Sequence, residues 1–494
     1  MATSAGTTVL IVGAGPTGLI AALELSRLGV EVRIVDRAAE PSRESRALAV
    51  QARTLELLRV RGVTDEMLPL GNRAHGAALH AGARQIAAIE LNRMPSEFNY
   101  ILMLAQSETE LLLTEQLARQ GVKVERGVEV TAVRNSTVDV EVVMRSVGGA
   151  TETVCAPYVI AADGPHSSLR KAMGLAFPGR TLPHNYVLAD LCIDSELAQD
   201  QVSIFLARGG FVAVFPMGGG RYRLMATDPS GIVGDEGLPT VGQIQQLVDS
   251  TVHLPARLYS MNWSSRFRIN SRHTESLRAG RVFFGGDAAH VHSPAGGQGM
   301  NLGIQDMINL SWKMAMVLDG RAKPELLETY SSDRLPVIRK LVGFTEIGTR
   351  IFNSTNPVVH ALRIRMAPRA LARDRVQNAA ASMFGQLSAG YRDGVLSEGA
   401  GGLEGLRAGD RVPDDDGLYD ALDLGALTLF ADDERVASVG RRWDGVVTVR
   451  PAARPGGWLL VRPDGYLAAA GRSADADVLD GWLRRWFVPA AHVV

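Results

Sequence analysis

The chain has 494 residues, and its 46% hydrophobic and 21% charged residues are ordinary for a globular protein with a sizeable core. The formal net charge of −1 gives no electrostatic reason to expect binding to nucleic acid or to an anionic membrane, and no uninterrupted apolar run is long enough to span a bilayer. Only Cys155 and Cys192 are present, without a C-x-x-C pair, which argues against a disulfide framework or a thiolate metal site and suits the reducing cytoplasm.

The first chemical motif lies at the start of the chain. Residues 8–12 have the composition of a buried parallel strand, an apolar-faced helix is predicted over residues 19–28, and a second strand over 31–35 ends at Asp36. The turn before the helix carries the pattern G-x-G-x-x-G, and the residues predicted to line it are Gly13, Gly15, Pro16, Thr17 and Gly18. Such a turn holds a diphosphate at a helix N-terminus, and the acid binds a ribose hydroxyl pair. The unit therefore predicts dinucleotide binding, with a purely structural glycine turn as the alternative.

A second strand-to-helix turn follows in the middle of the chain. The apolar residues 158–162 lead into Asp163 and Gly164, and a helix carrying Ser167 and Arg170 begins immediately. In isolation this is an ordinary Asp-Gly turn before a helix. As a repeat of the first motif, it predicts a second acid at the edge of the same site.

The third motif spans residues 285–301. A short apolar strand at 281–284 ends in Gly285-Gly286-Asp287, and an amphipathic helix is predicted over 302–318. A carboxylate at a strand end accepts hydrogen bonds from ribityl or ribose hydroxyls, and glycines let the backbone approach a flat ligand. The helix N-terminus favours negative charge, as on a reduced flavin ring.

Taken in order, the three motifs resemble those of the FAD-dependent group A aromatic hydroxylases, typified by p-hydroxybenzoate hydroxylase. Within that group the chain is most similar to the longer branch that acts on aromatic polyketides, phenols and rifamycin-type antibiotics. The features behind this choice are residues 294–306, residues 326–330 followed by 333–336, and a long C-terminal extension. The resemblance covers residues 7 to 400 well and the remainder less specifically.

The resemblance implies non-covalent FAD, NADPH or NADH as a transient cosubstrate, and hydroxylation of an aromatic substrate by O2 through a flavin C4a-hydroperoxide. It assigns Asp163 and Asp287 to cofactor positioning, and the backbone at Gly299, Met300 and Asn301 to the negative charge of the flavin N1–C2 locus. The loop at the flavin face, where the reaction takes place, is expected to consist of Pro294, Gly296 and Gly297. No general base is assigned.

Arg37, beside Asp36, is a candidate for adenosine binding, with a solvated charge as the alternative. Three further cofactor contacts depend on the resemblance, and they are Arg46 near the diphosphate, Gln106 before a helix, and the backbone of Val130 near adenine. Without the resemblance, Arg46 would be a surface residue, Gln106 a helix-start residue, and Val130 part of the core.

The expected fold class is mixed α/β, with a Rossmann-like FAD-binding domain interleaved with an antiparallel substrate domain. The FAD-binding domain, with a helical extension, is assigned to residues 1–72, 105–178 and 271–400. The substrate-binding domain is assigned to residues 73–104 and 179–270, where polar and apolar residues alternate and glycines mark hairpins.

The segment 401–494 is strand-rich, and the resemblance implies a thioredoxin-like domain. It contains no cysteine, so dithiol chemistry is excluded. We expect a structural or dimer-contact role, which leaves a homodimer open.

Aromatic residues on the alternating strands are candidates for contact with a planar substrate, and we select Phe205, Phe215 and Trp263. Such residues are as often core, and Arg223 is either a contact to an acidic substrate or an exposed strand charge. His290 and His292 form an H-x-H pattern, but no ligand set completes it, so no metal is expected.

Two other functions remain open at this point. A Baeyer–Villiger oxygenase on the same scaffold would have nearly the same sequence. A flavin- or ligand-binding module without oxygenase turnover would keep the binding motifs, although intact phosphate, acid and flavin-face motifs argue against a decayed site.

Overall fold

The computed structural model describes residues 9–41, 47–229, 231–233, 237–253, 255–294, 296–403, 405–452 and 456–489, without the side chains of residues 415 and 416. Arg46, which the sequence assigns to the cofactor, lies outside the described residues.

Strands and helices are numbered here in chain order. The strands are β1 (Val9–Val12), β2 (Val32–Asp36), β3 (Ala49–Val50), β4 (Asn72–Ala74), β5 (Gly76–Ala81), β6 (Arg84–Glu90), β7 (Ile101–Met103), β8 (Val124–Arg126), β9 (Val128–Asn135), β10 (Val140–Ser146), β11 (Thr151–Ala156), β12 (Tyr158–Ala161), β13 (Gly179–Asp194), β14 (Gln201–Ala207), β15 (Gly210–Gly218), β16 (Arg221–Thr227), β17 (Arg257–His273), β18 (Arg278–Ala279), β19 (Val282–Phe284), β20 (His290–Val291), β21 (Gly402–Leu403), β22 (Leu406–Arg407), β23 (Leu427–Phe430), β24 (Val447–Arg450), β25 (Trp458–Val461) and β26 (Leu467–Gly471). The α-helices are α1 (Pro16–Arg27), α2 (Ala52–Arg59), α3 (Thr64–Met67), α4 (Gln106–Arg119), α5 (Ser168–Ala172), α6 (Val241–Asp249), α7 (Gly299–Leu318), α8 (Thr329–Phe352), α9 (Pro357–Leu371), α10 (Asp374–Phe384), α11 (Glu434–Arg441) and α12 (Ala476–Trp486). Short 3-10 turns cover Leu91–Arg93, Gly286–Ala288, Pro324–Glu328, Val395–Ser397, Asp415–Ala421 and Ser473–Asp475.

The first sheet brings the three sequence motifs to one edge. Within the described residues its order is β18-β19-β12-β1-β2-β8, and every pair from β19 to β8 is parallel. The strands β1, β12 and β19 are therefore neighbours, and each is followed directly by one of the glycine-containing turns. Because parallel strands end at the same edge of a sheet, the three turns converge on one crevice.

The second sheet has the order β20-β17-β13-β16-β15-β14-β5-β6 in the described residues. Its pairs are antiparallel except β14 with β5, so the expected antiparallel sheet contains one parallel pair. One face is covered by α6, and the hydrophobic core between this face and the helix includes Phe205, Val212 and Leu224. The other face carries a smaller cluster that includes Tyr186 and Leu188.

The remaining part of the chain packs against both sheets, and on the second sheet α8 contacts β17 while α9 and α10 contact β6. Long helices α7 and α8 are followed by α9 and α10, as expected for residues 299–390. Near the C-terminus, β23 and β24 are a parallel pair joined by α11, and the hairpin β25–β26 extends the sheet before α12. No helix in the described part of the chain is both long and apolar enough to cross a bilayer.

The mixed α/β fold class is thus confirmed, with a parallel sheet beside a mainly antiparallel one. The three domain boundaries and the thioredoxin-like description of residues 401–494 stay predictions.

Candidate active site

The glycine-rich turn after β1 packs tightly against the protein on one side and faces open space on the other. Gly13 has φ +105°, and a Cβ there would clash with the Ala162 carbonyl oxygen, while a Cβ on Gly18 would clash with the Gly13 carbonyl oxygen. At Gly15, by contrast, a Cβ would meet nothing within 4 Å. Pro16 is the first residue of α1, and no side chain of the described residues caps this helix. The unused N–H groups and the positive end of the helix dipole therefore face open space, as a bound diphosphate requires.

Asp36 lies at the end of β2, where the sequence predicts it. Its Oδ2 accepts the Ala14 N–H at 2.7 Å and its Oδ1 accepts the Ala38 N–H at 2.8 Å. These two bonds fix the carboxylate beside the glycine turn. Each oxygen retains a lone pair, so the geometry leaves capacity for ribose hydroxyls.

The side chain of Thr17 packs inward rather than toward the crevice. A Cβ on Gly286 or on Gly303 would clash with Thr17 Oγ1, and Gly286 has φ +55°. Thr17 therefore fills the place where α1, the turn after β19 and α7 meet. Asp287, the next residue in that turn, is exposed although its neighbours Gly286 and Ala288 are buried, so its carboxylate projects from the packed turn.

Asp163 has the helix-start role that the sequence allowed, and its cofactor role stays a prediction. Its Oδ2 accepts hydrogen bonds from the N–H groups of Ser168 (2.8 Å) and Leu169 (3.3 Å) at the start of α5, as an ordinary helix start would. Its Oδ1 is buried and has no hydrogen-bond partner among the described residues. A buried carboxylate oxygen without a donor indicates a place for a ligand hydroxyl.

Asn301 holds the start of α7 against the strand β3. The Asn301 side chain is buried, accepts the Gln51 N–H at 2.8 Å and donates to the Ala49 carbonyl at 2.8 Å. The side chain thus fixes the first turn of α7, which no side chain of the described residues caps. The N–H groups of that turn, including those of Gly299 and Met300, remain available to negative charge.

The loop before α7 makes a tight turn at the predicted flavin face. The Gly297 N–H donates to the Pro294 carbonyl at 2.9 Å, and Gly296 and Gly297 have φ values of +82° and +64°. A Cβ on Gly297 would come within 2.5 Å of the Ala49 Cβ. Glycine is needed at both positions for the backbone conformation, and at Gly297 also for the close approach to β3.

A buried ionic group braces the turn after β19. Asp306 on α7 accepts the Gly286 N–H at 3.1 Å and contacts His290 Nε2 at 2.7 Å through the same oxygen. Its other oxygen pairs with Arg334 Nε at 2.7 Å. The arginine on one side and the histidine on the other keep the pKa of Asp306 below its usual value despite full burial.

This arrangement gives His290 a structural partner, which weakens the metal interpretation of the H-x-H pattern. No group of three metal-binding side chains occurs among the residues that the structure describes. The second histidine, His292, is desolvated, and burial lowers its pKa to about 4, with the nearby His290 adding to the effect. Its Nδ1 lies 2.8 Å from the Ser293 carbonyl, which can only accept, so the neutral ring carries its proton on Nδ1.

The other predicted cofactor contacts differ in their surroundings. Gln106, the first residue of α4, accepts the Ala47 N–H at 3.1 Å and donates to Glu110 at 2.8 Å. Arg37 is exposed at the end of β2, and Val130 is buried within β9, where only its backbone is available. Of these, Gln106 is the one held beside the β3 segment of the crevice.

The second sheet presents a cross-strand row toward this crevice. Asp190 lies opposite Trp263 on β17 and opposite Arg223 on β16, and Arg223 lies opposite Phe215 on β15. Directly paired residues share one face of a sheet, so an ion pair is flanked by two aromatic side chains. The pair is bidentate, with both N–O distances 2.7 Å, and Arg223 also donates to the Ala47 carbonyl at 3.0 Å. This last bond ties the row to the segment that contacts Gln106.

Phe205 is not part of this row. It is completely buried in the cluster on the opposite face of the sheet and stacks on His80 with a centroid distance of 4.6 Å. The structure therefore brings Phe215 and Trp263 together but separates Phe205 from them. Arg223, for which an exposed charge was one interpretation, is only 2% exposed.

Comparisons with known proteins agree with this geometry. A family model described as "FAD binding domain" matches residues 6–345. The chain belongs to this family. The flavoprotein is 35% identical to the 6-methylpretetramide 4-monooxygenase of Streptomyces rimosus, over 97% of its own length and 93% of that protein. It is 32% identical to the pentachlorophenol 4-monooxygenase of Sphingobium chlorophenolicum, over 98% and 90% of the two chains.

A solved structure supports the same assignment. The anhydrotetracycline hydroxylase of Streptomyces rimosus has a TM-score of 0.80 and 28% identity to the flavoprotein, over 98% of this chain and 99% of that one. The predicted family is therefore confirmed: the flavoprotein is an FAD-dependent monooxygenase and belongs to the aromatic hydroxylase group.

The residues present fit FAD. The open turn at Gly15, the unpartnered Oδ1 of Asp163 and the uncapped first turn of α7 lie where a diphosphate, a hydroxyl and an anionic ring edge would each find a complementary group.

Sequence reasoning missed two residues beside this site, Asp306 and Asp190. Asp306 was read only as part of a family segment, although an acid on a predicted helix directly after the glycine motif is a signal for an ionic partner. The Thr17 side chain packs between helices, and a contact of Thr17 with the cofactor stays a prediction. Asp190 is a single acid within an apolar strand, and its neighbours are visible only after the strands pair.

Proposed function

We propose that the flavoprotein hydroxylates a planar phenolic substrate, of polycyclic polyketide-like or simpler phenolic type, using O2 and either NADPH or NADH. The observation that carries this proposal is the row Trp263–Asp190–Arg223–Phe215, which places an ion pair of a buried arginine and a half-buried aspartate between two aromatic side chains. The relatives named for 6-methylpretetramide, pentachlorophenol and anhydrotetracycline support the same substrate class.

FAD, when bound, supplies hydride acceptance and oxygen activation, so the protein must bind, orient and exclude water. We assign the diphosphate to the turn at Gly13, Gly15 and Gly18, and hydroxyl contacts to Asp36, Asp163 and Asp287. These groups surround the crevice at the end of the parallel sheet, which is where such folds bind ligands.

The first turn of α7 has the electrostatic role. The N–H groups of Gly299, Met300 and Asn301 stabilise negative charge at the nearest edge of the flavin ring, because the dipole of α7 adds to their hydrogen bonds. The turn from Pro294 to Gly297 covers the adjacent space and keeps water from the reacting oxygen.

The ion pair orients the substrate. Trp263 and Phe215 offer ring faces to a planar molecule, and the Asp190 side chain is 20% exposed between them. Its carboxylate accepts the hydrogen bond of a phenolic hydroxyl, which raises the electron density of the ring. Arg223 holds this carboxylate in place and ionised.

The first test is anaerobic stopped-flow reduction of the holoenzyme by NADPH and by NADH with a panel of polycyclic phenols, naphthoquinones and rifamycins. We expect one ligand class to accelerate reduction strongly, and oxygen uptake with that ligand to yield a product heavier by one oxygen atom. Reduction that no ligand accelerates would contradict the phenol assignment. A ring-expanded ester as product would indicate Baeyer–Villiger chemistry instead.

A matched pair of variants tests whether Asp190 is the substrate anchor, that is, the residue that accepts the hydrogen bond of the phenolic hydroxyl. Asp190→Asn keeps the shape but removes the charge, and we expect the efficiency of hydroxylation to fall about tenfold or more, because a hydrogen bond to a charged group contributes roughly 1.5–3 kcal/mol. Asp194→Asn, on the same strand but exposed, is the control and should behave as wild type. Equal activity of both variants would remove Asp190 from the site.

The paucity of cysteine and the need for reduced nicotinamide lead us to propose a cytoplasmic location. The homodimer stays a prediction that light scattering of the purified enzyme measures.

A further inference from the structure

The outer faces of α8 and α9 are unusually apolar. Their exposed large hydrophobic side chains are between 46% and 70% exposed, and they are Phe344, Ile347, Ile351, Val358, Leu362 and Met366. On α8 they are spaced three and four residues apart, and on α9 four apart, so each set forms a stripe along its helix. Such a concentration of exposed apolar side chains on two consecutive helices indicates a contact surface.

The surroundings of these stripes are basic. Exposed cations occur on and beside the two helices at Arg339, Lys340, Arg350, Arg365, Arg369 and Arg373, of which Arg339 and Arg350 lie roughly 100° around α8 from its apolar stripe. The only acid between residues 339 and 373 is Glu346, which is already paired with Arg180 and with Arg350. The local charge is therefore positive although the whole chain has a net charge of −1.

We propose that this surface, the α8–α9 face, attaches the enzyme to an anionic lipid bilayer. On α9, the exposed Arg365 and Arg369 lie beside the exposed Leu362 and Met366 on one side of the helix, and the exposed Arg373 follows shortly after the end of the helix. Such a surface lies against a bilayer with its aliphatic side chains among the acyl chains and its arginines at the lipid phosphates. Anionic lipids of the cytoplasmic leaflet add attraction for each cation near the surface.

The position of the face relative to the substrate sheet supports a role in delivery. Phe352, the last residue of α8, packs edge-on against Phe211 at 5.8 Å, and Arg363 of α9 donates to the Ala207 carbonyl at 2.8 Å. Phe211 belongs to the cluster on the same sheet face as Phe215 and Trp263. A bilayer on the outside of these helices would bring apolar aromatic compounds dissolved in it close to the proposed substrate face.

Charge also argues against a second copy as the occupant. A two-fold interface through this face would place its cations opposite one another, since an isologous contact pairs the same patch on both subunits. The like charges would oppose association. An acidic protein surface has the right charge, but a bilayer also takes up the aliphatic side chains without requiring a matching groove.

The test is sedimentation of the full-length holoenzyme with vesicles. We expect binding to equimolar phosphatidylglycerol–phosphatidylcholine vesicles, weakening with added NaCl, and none to pure phosphatidylcholine. The variant Arg365→Glu/Arg369→Glu/Arg373→Glu should bind about 100-fold more weakly or worse, since each cation near such a surface contributes roughly 1 kcal/mol. Leu362→Ser/Met366→Ser should also weaken binding while leaving the salt dependence in place.

The control reverses three exposed arginines elsewhere, Arg134→Glu/Arg145→Glu/Arg441→Glu, and should bind nearly as wild type. Circular dichroism and FAD content establish that each variant is folded, and the wild-type salt dependence does not rely on any variant. Absence of binding to the anionic vesicles overturns the proposal, as does an equal loss in the control variant. A concentration-dependent dimer that the α9 variant dissolves would make the face an interface between copies and would also overturn it.

Discussion

Several polar side chains of the site act on the backbone rather than on a ligand. Asp306 holds the Gly286 amide, His290 and Arg334 at once, and Asn301 holds both the Gln51 amide and the Ala49 carbonyl. Each is buried, so an unpaired oxygen or nitrogen there would cost free energy. These bonds therefore fix the backbone of the turns that are predicted to bind the cofactor.

The lowered pKa of His292 leads us to expect that the free energy of unfolding depends on pH. Its folded-state pKa is lowered to about 4 by burial, whereas an unfolded histidine titrates near 6.5, so the unfolded chain takes up the proton first as pH falls. The contribution of the neutral His292 to folding stability is therefore fully present above pH 6.5 and is lost as the pH falls toward 4. Between pH 7 and 5 we expect a loss of about 1–2 kcal/mol from this residue in denaturant unfolding.

The variant His292→Gln removes this titration and should show a shallower fall in stability over that interval. His166→Gln, at an exposed position, is the control and should retain the wild-type slope. An unchanged slope in His292→Gln would show that its ring is not kept neutral by the fold.

Among the elements, α7 has the greatest effect on the geometry of the site. Its first turn faces the crevice, Asp306 lies one to two turns further along, and Gly303 lies between them against Thr17 of α1. The absence of a side chain at Gly303 lets α1, α7 and the turn at Gly286 approach within packing distance. The packing of α7 against α1 and the turn at Gly286 therefore requires glycine at position 303.

Gly303→Ala tests that contact. A Cβ would clash with Thr17 Oγ1 and lie 3.1 Å from the Gly286 Cα, so we expect destabilisation by about 1–3 kcal/mol and weaker FAD binding to the apoenzyme, measured by flavin fluorescence. Gly343→Ala is the control because it lies within α8 with nothing within 4 Å. There the better helix propensity of alanine should stabilise the protein by up to about 1 kcal/mol. The same sign for both variants would contradict the packing argument.

At the scale of the molecule, residues near the C-terminus are joined to α7 and α8 by buried charges. Arg462 donates to Asp333 at 2.9 Å and Lys313 donates to the same carboxylate oxygen at 2.7 Å, while Asp464 accepts from Asn309 at 3.0 Å. These charged side chains are at most 3% exposed. The predicted structural role of residues 401–494 thus has a physical basis in this network, which reaches the helix that faces the cofactor.

Arg462→Met should break the network. Removing one partner of a buried ion pair leaves an uncompensated charge and costs about 3–5 kcal/mol, so we expect a clear fall in the thermal unfolding midpoint and in FAD retention on heating. Arg442→Met serves as the control because its pair with Asp480 is solvent-exposed, with an N–O distance of 3.7 Å. There the expected loss is below about 1 kcal/mol. A loss in Arg462→Met no larger than in the control would show that the network is energetically neutral.

Charge distribution is also a property of the whole molecule. The net charge of −1 predicts no affinity for anionic membranes, since it averages over the chain. Folding places Arg365 and Arg369 on one exposed side of α9 and Arg373 exposed shortly after it, while acids such as Asp306 and Asp333 are buried in pairs. A local positive surface is therefore compatible with a nearly neutral protein.

The sequence alone determined the cofactor class and predicted three turns for it. Each motif is local in the sequence, because a glycine turn and its helix N-terminus follow one strand end directly, as after Val12, and the acid lies in the same turn, as at Asp287, or at the end of the next strand, as at Asp36. The fold class followed from the same local patterns. Arg46 belongs to this group of predictions but lies outside the described residues.

Only the tertiary structure decided which side chains face one another. Asp190, Phe215, Arg223 and Trp263 come from four strands, and a shift of one residue in any register would turn a member of the row to the opposite face, where Phe205 lies. Register depends on pairing between segments far apart in sequence, and no local pattern records it. For that reason the cofactor site could be read from the chain, whereas the candidate substrate anchor and the basic α8–α9 face required the folded structure.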